Sequence, residues 1–254
     1  MTHALKYHHF KTLHQQEQPF QLYNIWDAGS AKALEATGTQ AIATSSAAVA
    51  MAQGYEDGEY MPFADLLRTA QQIATCSDLP CSVDFEAGYT QSDKELAANT
   101  KALLEAGIIG INFEDWDKSE SKLRPAEEQI SRIRAIKQTS DKLDLPLFIN
   151  ARTDLFLRES NPNNHQNLLE EAIERAHAYK EAGAECFFAP CLNDPALIKE
   201  LCEKSPIPIN IMMMEGAPTK VELAELGVKR ISFGFAPYLE AMAGIKKAAR
   251  AFMA

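Results

Sequence analysis

Two carboxylates interrupt the segment VDFEAGYT, residues 83–90, which otherwise has the composition of a buried strand. In an extended strand, residues two positions apart project from the same face, so Asp84 and Glu86 should point the same way. A third carboxylate, Glu114, lies near the end of the next apolar run, IGINFED. If these strands are neighbours, the three groups cannot all stay ionised unless some bind protons or a cation lies among them.

The types of ligand indicate which cation would suit this cluster. Carboxylate oxygens without His or Cys favour a hard ion, Mg2+ or Mn2+. Because Mg2+ usually keeps several waters, we predict that Asp84 binds the metal directly while Glu86 and Glu114 hold metal-bound water. Arg152, in NARTD, supplies a planar fork suited to a substrate carboxylate. The alternative is that these side chains form only a structural ring of ion pairs.

Eight short apolar runs have to position these residues, and each is followed by a segment with helical periodicity. The near-continuous apolar character of the runs is typical of a parallel sheet covered on both faces. Two of the helical segments end at a glycine, Gly107 and Gly183, as helices often do. The runs comprise residues 20–26, 41–46, 81–86, 109–115, 147–153, 186–190, 209–213 and 230–234.

Eight strand–helix units in 254 residues predict an α/β fold, a single (β/α)8 barrel domain spanning residues 1–254. Residues 1–19 are predicted to add an N-terminal helix. A doubly wound open sheet is the alternative. In a barrel, functional groups collect where strands lead into helices, and the polar residues of the runs lie at those ends. The sequence therefore predicts one mouth that holds the three carboxylates and Arg152.

Composition and charge narrow the classes of partner. The net charge of −10 and the pI near 5.1 argue against binding to nucleic acid or to an anionic membrane surface. No apolar stretch approaches the roughly 20 residues that cross a bilayer, and the N-terminus lacks the apolar run of a signal peptide. The five cysteines have no CxxC spacing, so we expect reduced thiols in a cytoplasmic protein and neither disulfides nor a zinc site.

Six motifs in order give the chain a resemblance to the isocitrate lyase / phosphoenolpyruvate mutase superfamily. They are NIWDAGSA, TSSAAVA, VDFEAGY, GINFEDW, NARTD and RISFG, and the similarity runs from residue 24 to residue 242. The resemblance implies a (β/α)8 enzyme that uses Mg2+ to hold a 2-oxo acid or its enolate and breaks or forms a C–C or P–C bond next to a carboxylate. It also implies a homodimer or homotetramer, in which many members exchange the last helix.

The resemblance assigns roles to individual residues. Asp84 matches the direct metal ligand, and Glu86 and Glu114 match the other two acidic positions at the metal. The residues with implied catalytic roles are Ser45, Asp57 and Arg152. Asp57 matches an aspartate that reaches toward the metal, and the turn at Ser45 and Ser46 matches one whose amides and hydroxyl hold the substrate carboxylate. The implied substrate-binding residues are Trp26, Ser45, Ser46, Arg152 and Asn210.

One loop departs from the family pattern. The lyases carry a Cys as general acid after the fourth strand, and the mutases carry an Asn, but residues 115–125, DWDKSESKLRP, contain neither. We therefore expect a Mg2+-dependent lyase-type enzyme acting on a small 2-oxo or 2-hydroxy (di)carboxylate through a metal-stabilised enolate. The alternatives are phosphonomutase, phosphonopyruvate hydrolase or oxaloacetate decarboxylase-like activity, or an inactive barrel that serves as a binding protein. The loop itself is either a cationic lid or a solvated loop of mixed charge.

Overall fold

A computed structural model describes residues 1–253 and arranges the apolar runs as a parallel barrel surrounded by helices. The strands are β1 (Phe20–Leu22), β2 (Asn24–Ile25), β3 (Ile42–Thr44), β4 (Cys81–Asp84), β5 (Gly110–Glu114), β6 (Trp116–Asp117), β7 (Lys122–Leu123), β8 (Phe148–Arg152), β9 (Cys186–Phe188), β10 (Ile209–Met212) and β11 (Arg230–Ser232). The short strands β6 and β7 pair antiparallel as a hairpin, and the other nine form the barrel sheet.

The helices alternate with these strands. They are α1 (His3–Leu13), α2 (Ala28–Glu35), α3 (Ser46–Ala52), α4 (Phe63–Cys76), α5 (Asp93–Glu105), α6 (Ala126–Leu143), α7 (Leu155–Arg158), α8 (Leu169–Ala182), α9 (Pro195–Lys204), α10 (Lys220–Glu225) and α11 (Ala236–Met253), with a 3-10 helix at Pro162–Leu168. None of these described helices is long and apolar enough to cross a bilayer.

The barrel closes through its first apolar run. β1 pairs with β11, so that Phe20 lies level with Arg230, while β2 pairs with β3. The run predicted as one strand over residues 20–26 therefore splits at Tyr23, and its two halves join the two ends of the sheet. The predicted (β/α)8 barrel with an added N-terminal helix is confirmed, and eight runs yield nine strands because of this split.

The helices pack as their periodicity predicts. In α5, the side chains of Leu96, Thr100, Leu103 and Leu104 are all buried against the sheet. The backbone turns left-handed at Gly107 and Gly183, with φ of 91° and 116°, where these two helical segments end. Alternate strand residues such as Ile111 and Ile149 pack in one cluster with the helices. The barrel interior is apolar at its N-terminal end, around Leu22 and Phe148, and polar towards the carboxyl ends of the strands.

Helix α1 closes the N-terminal end of the barrel. The Phe10 ring meets Phe20 and Phe148, the first residues of β1 and β8, at centroid distances of 6.0 and 5.1 Å. His14, which follows the helix, stacks on Phe148 at 4.3 Å and is only 2% exposed. Because this end is sealed by aromatic packing, a ligand has to reach the interior from the opposite end.

The buried His14 should make folding sensitive to acid. Burial, together with the nearby Arg230 charge, lowers the pKa of His14 from 6.5 to about 3. The unfolded chain then binds a proton that the folded protein excludes, so stability falls as pH decreases below 6.5 towards 3. Between pH 7 and pH 5, we expect the wild type to lose about 2 kcal/mol more of its unfolding free energy than His14→Leu. Urea denaturation at both pH values measures this difference, and parallel losses in the two proteins would contradict it.

Candidate active site

Two adjoining cavities open at the carboxyl ends of the barrel strands. The inner cavity, of about 200 Å³, has a polar lining of Asn24, Thr44, Ser45, Ser46, Asp57, Ser82, Asp84, Asn112, Arg152, Arg230 and Ser232. The upper cavity, of about 430 Å³, shares Ser46, Asp57 and Arg152 with it. Glu114 at the end of β5 and the loop residues Glu86 and Lys118 also line the upper cavity. The structure thus gathers most of the predicted site residues at one mouth.

Asp84 is held in one orientation at the end of β4. Its Oδ2 accepts a hydrogen bond from the Ser46 N–H at 2.9 Å, and its Oδ1 accepts one from Asn112 Nδ2 at 2.9 Å. Asn112 Oδ1 in turn accepts from Asn150 Nδ2, so a row of side chains across three neighbouring strands fixes the carboxylate. Each carboxylate oxygen retains a lone pair for a further ligand.

Glu86 reaches the mouth by a different route from the predicted one. Strand β4 ends at Asp84, so the two-residue period of a strand does not place Glu86 beside it. Glu86 instead has a left-handed φ of 50°, and Gly88 and Tyr89 follow with φ of 92° and 60°. The Tyr89 hydroxyl donates to Glu86 Oε1 at 2.6 Å. As a result, Glu86 lines the upper cavity while Asp84 lines the inner one.

Two features stabilise this left-handed turn. The Glu59 Oε1 atom accepts the N–H groups of Ala87 and Tyr89 at 3.0 and 2.8 Å. At Gly88, a Cβ atom would lie 2.5 Å from the Leu96 side chain, so only glycine fits both the φ angle and the space. The glycine of VDFEAGYT therefore serves the turn that delivers Glu86.

Lys118 lies between the two upper carboxylates. Its ammonium contacts Glu86 Oε2 and is 3.4 Å from Glu114 Oε1, with the side chain only 19% exposed. Burial raises the pKa of both Glu86 and Glu114, and Lys118 counteracts this rise. Burial alone would lower the pKa of Lys118, but Glu114 and Glu86 raise it above its usual value, so the side chain remains a cation.

The loop at residues 115–125 forms a hairpin, and its cationic side chains lie in three different environments. Lys118 enters the mouth, whereas Lys122 pairs with Glu120 on the surface. Arg124 is buried and pairs with Asp117 at 3.1 Å. The sequence shows that the loop carries cations but gives no signal for which one enters the site, because that depends on the pairing of β6 with β7.

Arg152 extends the charge network from β8. Its Nη1 is 3.0 Å from Glu114 Oε2, and its Nε donates to Asp154 Oδ1 at 2.7 Å. Neither partner engages Nη2, and Arg152 lines both cavities. The alternative of a structural ion-pair ring thus describes Glu86 and Glu114. Asp84, by contrast, has only neutral hydrogen-bond donors around it.

The serine turn at the start of α3 differs in one detail from its predicted role. The Ser45 N–H donates to the Ile25 carbonyl, and the Ser46 N–H donates to Asp84, so neither amide is free to hold a substrate. Both hydroxyls remain candidates, since Ser45 does not cap α3 with its side chain and both residues line the inner cavity.

Asp57 joins the same site from the loop after α3. It lines both cavities although its side chain is exposed to solvent. Partial desolvation at the cavity and the neighbouring Asp84 carboxylate raise its pKa, while a hydrogen bond with Ser46 works in the opposite direction. A carboxyl group in such a position is suited to carry a proton.

Two predicted substrate contacts are not among the residues that line either cavity. Trp26 follows β2 and turns outward, so its ring meets Tyr238 of α11 edge-on at 5.2 Å and lines a surface groove beside α2, not either cavity of the mouth. Asn210 is fully buried on β10, where its Oδ1 accepts from the Ser232 hydroxyl at 3.0 Å. Trp26 lies outside the cavities because strand pairing ends at Ile25, and no pattern within residues 20–26 indicates that end.

The residues at the mouth fit a Mg2+ ion with one direct protein carboxylate. Among residues 1–253, no three His, Cys, Asp or Glu side chains converge closely enough to bind one ion together. Asp84 offers two oriented oxygens and forms no ion pair, and Asp57 lies beside it. Oxygen donors that leave room for several waters are the arrangement that Mg2+ prefers.

Removing the Lys118 ammonium should destabilise the mouth. In Lys118→Met, the buried Glu86 and Glu114 lose their shared cation, so we expect the free energy of unfolding to fall by on the order of 3 kcal/mol. Added Mg2+ should raise the melting temperature of this variant more than that of the wild type. Lys122→Met is the matched control, because Lys122 belongs to the same hairpin but is exposed, and it should change little. Equal stability of Lys118→Met and the control would contradict this account.

Comparison with known proteins places the chain in a defined group. The family profile described as phosphoenolpyruvate phosphomutase matches residues 10–253. A Mycobacterium tuberculosis protein described as uncharacterized is 36% identical over 244 residues, which cover 95% of this chain and 88% of that protein. The 2-methylisocitrate lyase of Escherichia coli strain K12 is 29% identical over 249 residues, which cover 94% of this chain and 80% of the lyase.

Solved structures share the same architecture. A candidate phosphonomutase from Burkholderia cenocepacia J2315 superposes with a TM-score of 0.94 at 40% identity, over 98% of this chain and 99% of that one. A 2,3-dimethylmalate lyase superposes with a TM-score of 0.85, over 98% of this chain and 87% of that one. Because that identity is only 21%, the second likeness shows the fold alone.

Proposed function

Because the chain belongs to the phosphoenolpyruvate phosphomutase family, a family related to lyases that cleave C–C bonds, we propose that it is a Mg2+-dependent enzyme that breaks a C–C or P–C bond in a small 2-oxo or 2-hydroxy (di)carboxylate. One observation carries the proposal. Asp84 is oriented by Ser46 and Asn112 without a cationic partner, in a cavity that Arg152 also lines. This arrangement suits a cation and an anionic substrate together.

The side chains at the mouth divide the work of binding. The free Nη2 of Arg152 and the hydroxyls of Ser45 and Ser46 bind the carboxylate of the reacting end. A bound Mg2+ would supply Lewis-acid stabilisation of the negative charge that develops on the substrate oxygens. Lys118 and Arg152 together compensate Glu86 and Glu114, which lowers the repulsion that an anionic substrate meets at the entrance.

Asp57 is the group we propose to hold and move a proton. It is exposed to solvent where it lines both cavities, so it can exchange protons with water, and partial desolvation and Asp84 raise its pKa. The hairpin contributes no thiol or imidazole to replace it, since residues 115–125 contain neither Cys nor His. Removing a general acid or base typically costs ~10²–10⁴-fold in rate.

The absence of a thiol in the hairpin restricts the substrate. We expect purified protein with Mg2+ to cleave isocitrate and 2-methylisocitrate at least ~10²-fold more slowly than a lyase equipped with a general-acid cysteine. Release of glyoxylate or pyruvate, followed with a coupled dehydrogenase, measures the rate. Fast release from either compound would show that another residue, Asp57 foremost, fully replaces the thiol.

A substrate panel tests the function as a whole. The protein is incubated with 2-oxo and 2-hydroxy mono- and dicarboxylates and with phosphonopyruvate, with Mg2+ or with EDTA, and products are identified by NMR. Turnover that EDTA abolishes supports the proposal and identifies the bond that breaks. Binding without turnover of any member would instead favour the inactive barrel that acts as a binding protein.

We further propose a homodimer or homotetramer as the working form. Helix α11 buries only Pro237, while Leu239, Ile245 and Phe252 are 48%, 60% and 92% exposed. An 18-residue helix with such an apolar surface is better explained by a second copy of the chain than by solvent. Light scattering coupled to gel filtration measures the mass, and a monomer would contradict this assignment.

A further inference from the structure

Arg230 is a buried cation without a protein partner. It begins β11, faces the barrel interior and lines the inner cavity, with only 2% of its surface exposed. Within residues 1–253, its Nε and Nη1 have no hydrogen-bond acceptor and its guanidinium forms no ion pair. Burial lowers the pKa of Arg230 to about 10, while the Asp84 carboxylate, which lines the same cavity without pairing with Arg230, works in the opposite direction. Arg230 is therefore protonated near neutral pH.

The other buried arginines of the described chain are compensated, which makes Arg230 exceptional. Arg124 pairs with Asp117 at 3.1 Å, and Arg175 pairs with Asp115 at 3.2 Å. Arg132 donates to two backbone carbonyls. Burial of an uncompensated charge is costly, so a cation retained without such partners requires an anion or ordered water.

The neighbourhood of Arg230 supplies a second donor. Asn210 lies level with Arg230 on the adjacent strand. Its Oδ1 accepts from the Ser232 hydroxyl, and its Nδ2 is buried without an acceptor. Two acceptors without donors, His14 Nε2 and Asn150 Oδ1, also lie in the barrel interior and could share water with Arg230. The inner cavity of about 200 Å³ is several times the ~30 Å³ that one water occupies in the liquid.

We propose that Arg230, with Asn210 beside it, is an anion subsite at the inner end of the cavity that receives the distal carboxylate of a dicarboxylate substrate. The inference rests on the proposed function, in which Arg152, Ser45 and Ser46 hold the reacting end. A carboxylate fits better than a phosphonate, because one guanidinium balances the single charge of a carboxylate but not the second charge that a phosphonate can carry. The substrate is therefore a short diacid, anchored at both ends of one cavity.

Calorimetry with two matched probes tests the subsite. Malate and 2-hydroxybutanoate have the same chain length and the same 2-hydroxy acid end, but only malate has a distal carboxylate. With saturating Mg2+, the wild type should bind malate about tenfold or more tightly than 2-hydroxybutanoate. Arg230→Met should lose this preference because malate binding weakens, while its affinities for 2-hydroxybutanoate and Mg2+ stay unchanged.

The outcomes separate the subsite from the proposed function. Equal binding of the two probes by the wild type, or a malate preference that survives in Arg230→Met, would overturn the subsite and leave Arg230 as a water-bound structural cation. If the wild type binds Mg2+ but neither probe, the proposed substrate class fails and the subsite fails with it. Arg230→Lys, which keeps the charge, should retain part of the preference. If Arg230→Met does not fold, Arg230→Lys is the deciding variant. A preference for malate equal to that of the wild type would then exclude recognition by the guanidinium fork.

Discussion

An Asp84→Asn variant is expected to fold normally, to lose Mg2+ binding and to lose at least ~10³-fold of its turnover. Asparagine keeps the size of the side chain and an oxygen that can accept from the Ser46 N–H. It removes the one carboxylate of the inner cavity wall that has two oriented oxygens and no cationic partner. Calorimetric titration with Mg2+, circular dichroism and steady-state kinetics measure the three properties.

The control for this variant is an aspartate away from the mouth. Asp78 is exposed near the opposite end of β4, and Asp78→Asn should leave Mg2+ affinity and turnover unchanged. Unchanged Mg2+ affinity in Asp84→Asn would refute the assignment of Asp84 as the direct ligand. Loss of the fold in Asp84→Asn would instead indicate that its main role is to orient the Asn112 and Asn150 row.

Arg152→Lys is expected to reduce kcat/KM by ~10²–10⁴-fold, although the charge is kept. Arg152 uses separate nitrogens for Glu114 and Asp154, and the residue lines both cavities. A lysine ammonium is a single point that cannot hold both carboxylates and a substrate in one plane. We expect KM to rise and kcat to fall, because both binding and orientation depend on the fork.

Arg134→Lys is the matched control, since Arg134 is exposed on α6. It should retain wild-type kinetics. If Arg152→Lys kept its kcat/KM while losing thermal stability, Arg152 would be a structural partner of Glu114 and Asp154 and the substrate carboxylate would bind elsewhere.

The carboxylates in and near VDFEAGYT are stabilised in two different ways. Glu86 and Glu114 are compensated within the chain, by Lys118 and Arg152. Asp84 is satisfied only by neutral donors, so it remains the position where an added cation gains most. The three carboxylates are therefore not equivalent: Glu86 and Glu114 are already paired with cations, and Asp84 is available to an added one.

The barrel could be predicted from sequence because its signals are local. Run length, apolar faces and terminal glycines such as Gly107 depend on neighbours within a few residues. The same holds for placing Asp84 and Arg152 at strand ends, since parallel strands bring their carboxyl ends to one edge.

The structure differs from the sequence-based predictions where a feature depends on contacts between residues that are distant in sequence. The first run splits at Tyr23 because its first half pairs with β11 and its second half pairs with β3. As a result, Trp26 lies on the outer surface. The Glu86 side chain reaches the upper cavity through a left-handed turn, and this turn is stabilised by Glu59 from the loop between α3 and α4. The position of Lys118 depends on a hairpin whose strands are two residues each. No pattern within any one segment encodes these contacts.

The chain contains two tryptophans, and their surroundings make them spectroscopic reporters of different events. The Arg158 guanidinium lies 3.9 Å from the ring centre of Trp116, at the base of the hairpin and the edge of the upper cavity. Trp26 instead contacts Tyr238 of α11. In Trp26→Phe, the remaining emission reports on the surroundings of the hairpin when a ligand is added. In Trp116→Phe, it reports on the surroundings of the last helix when the protein is diluted or concentrated, so that the two regions can be followed separately by stopped flow without a dye.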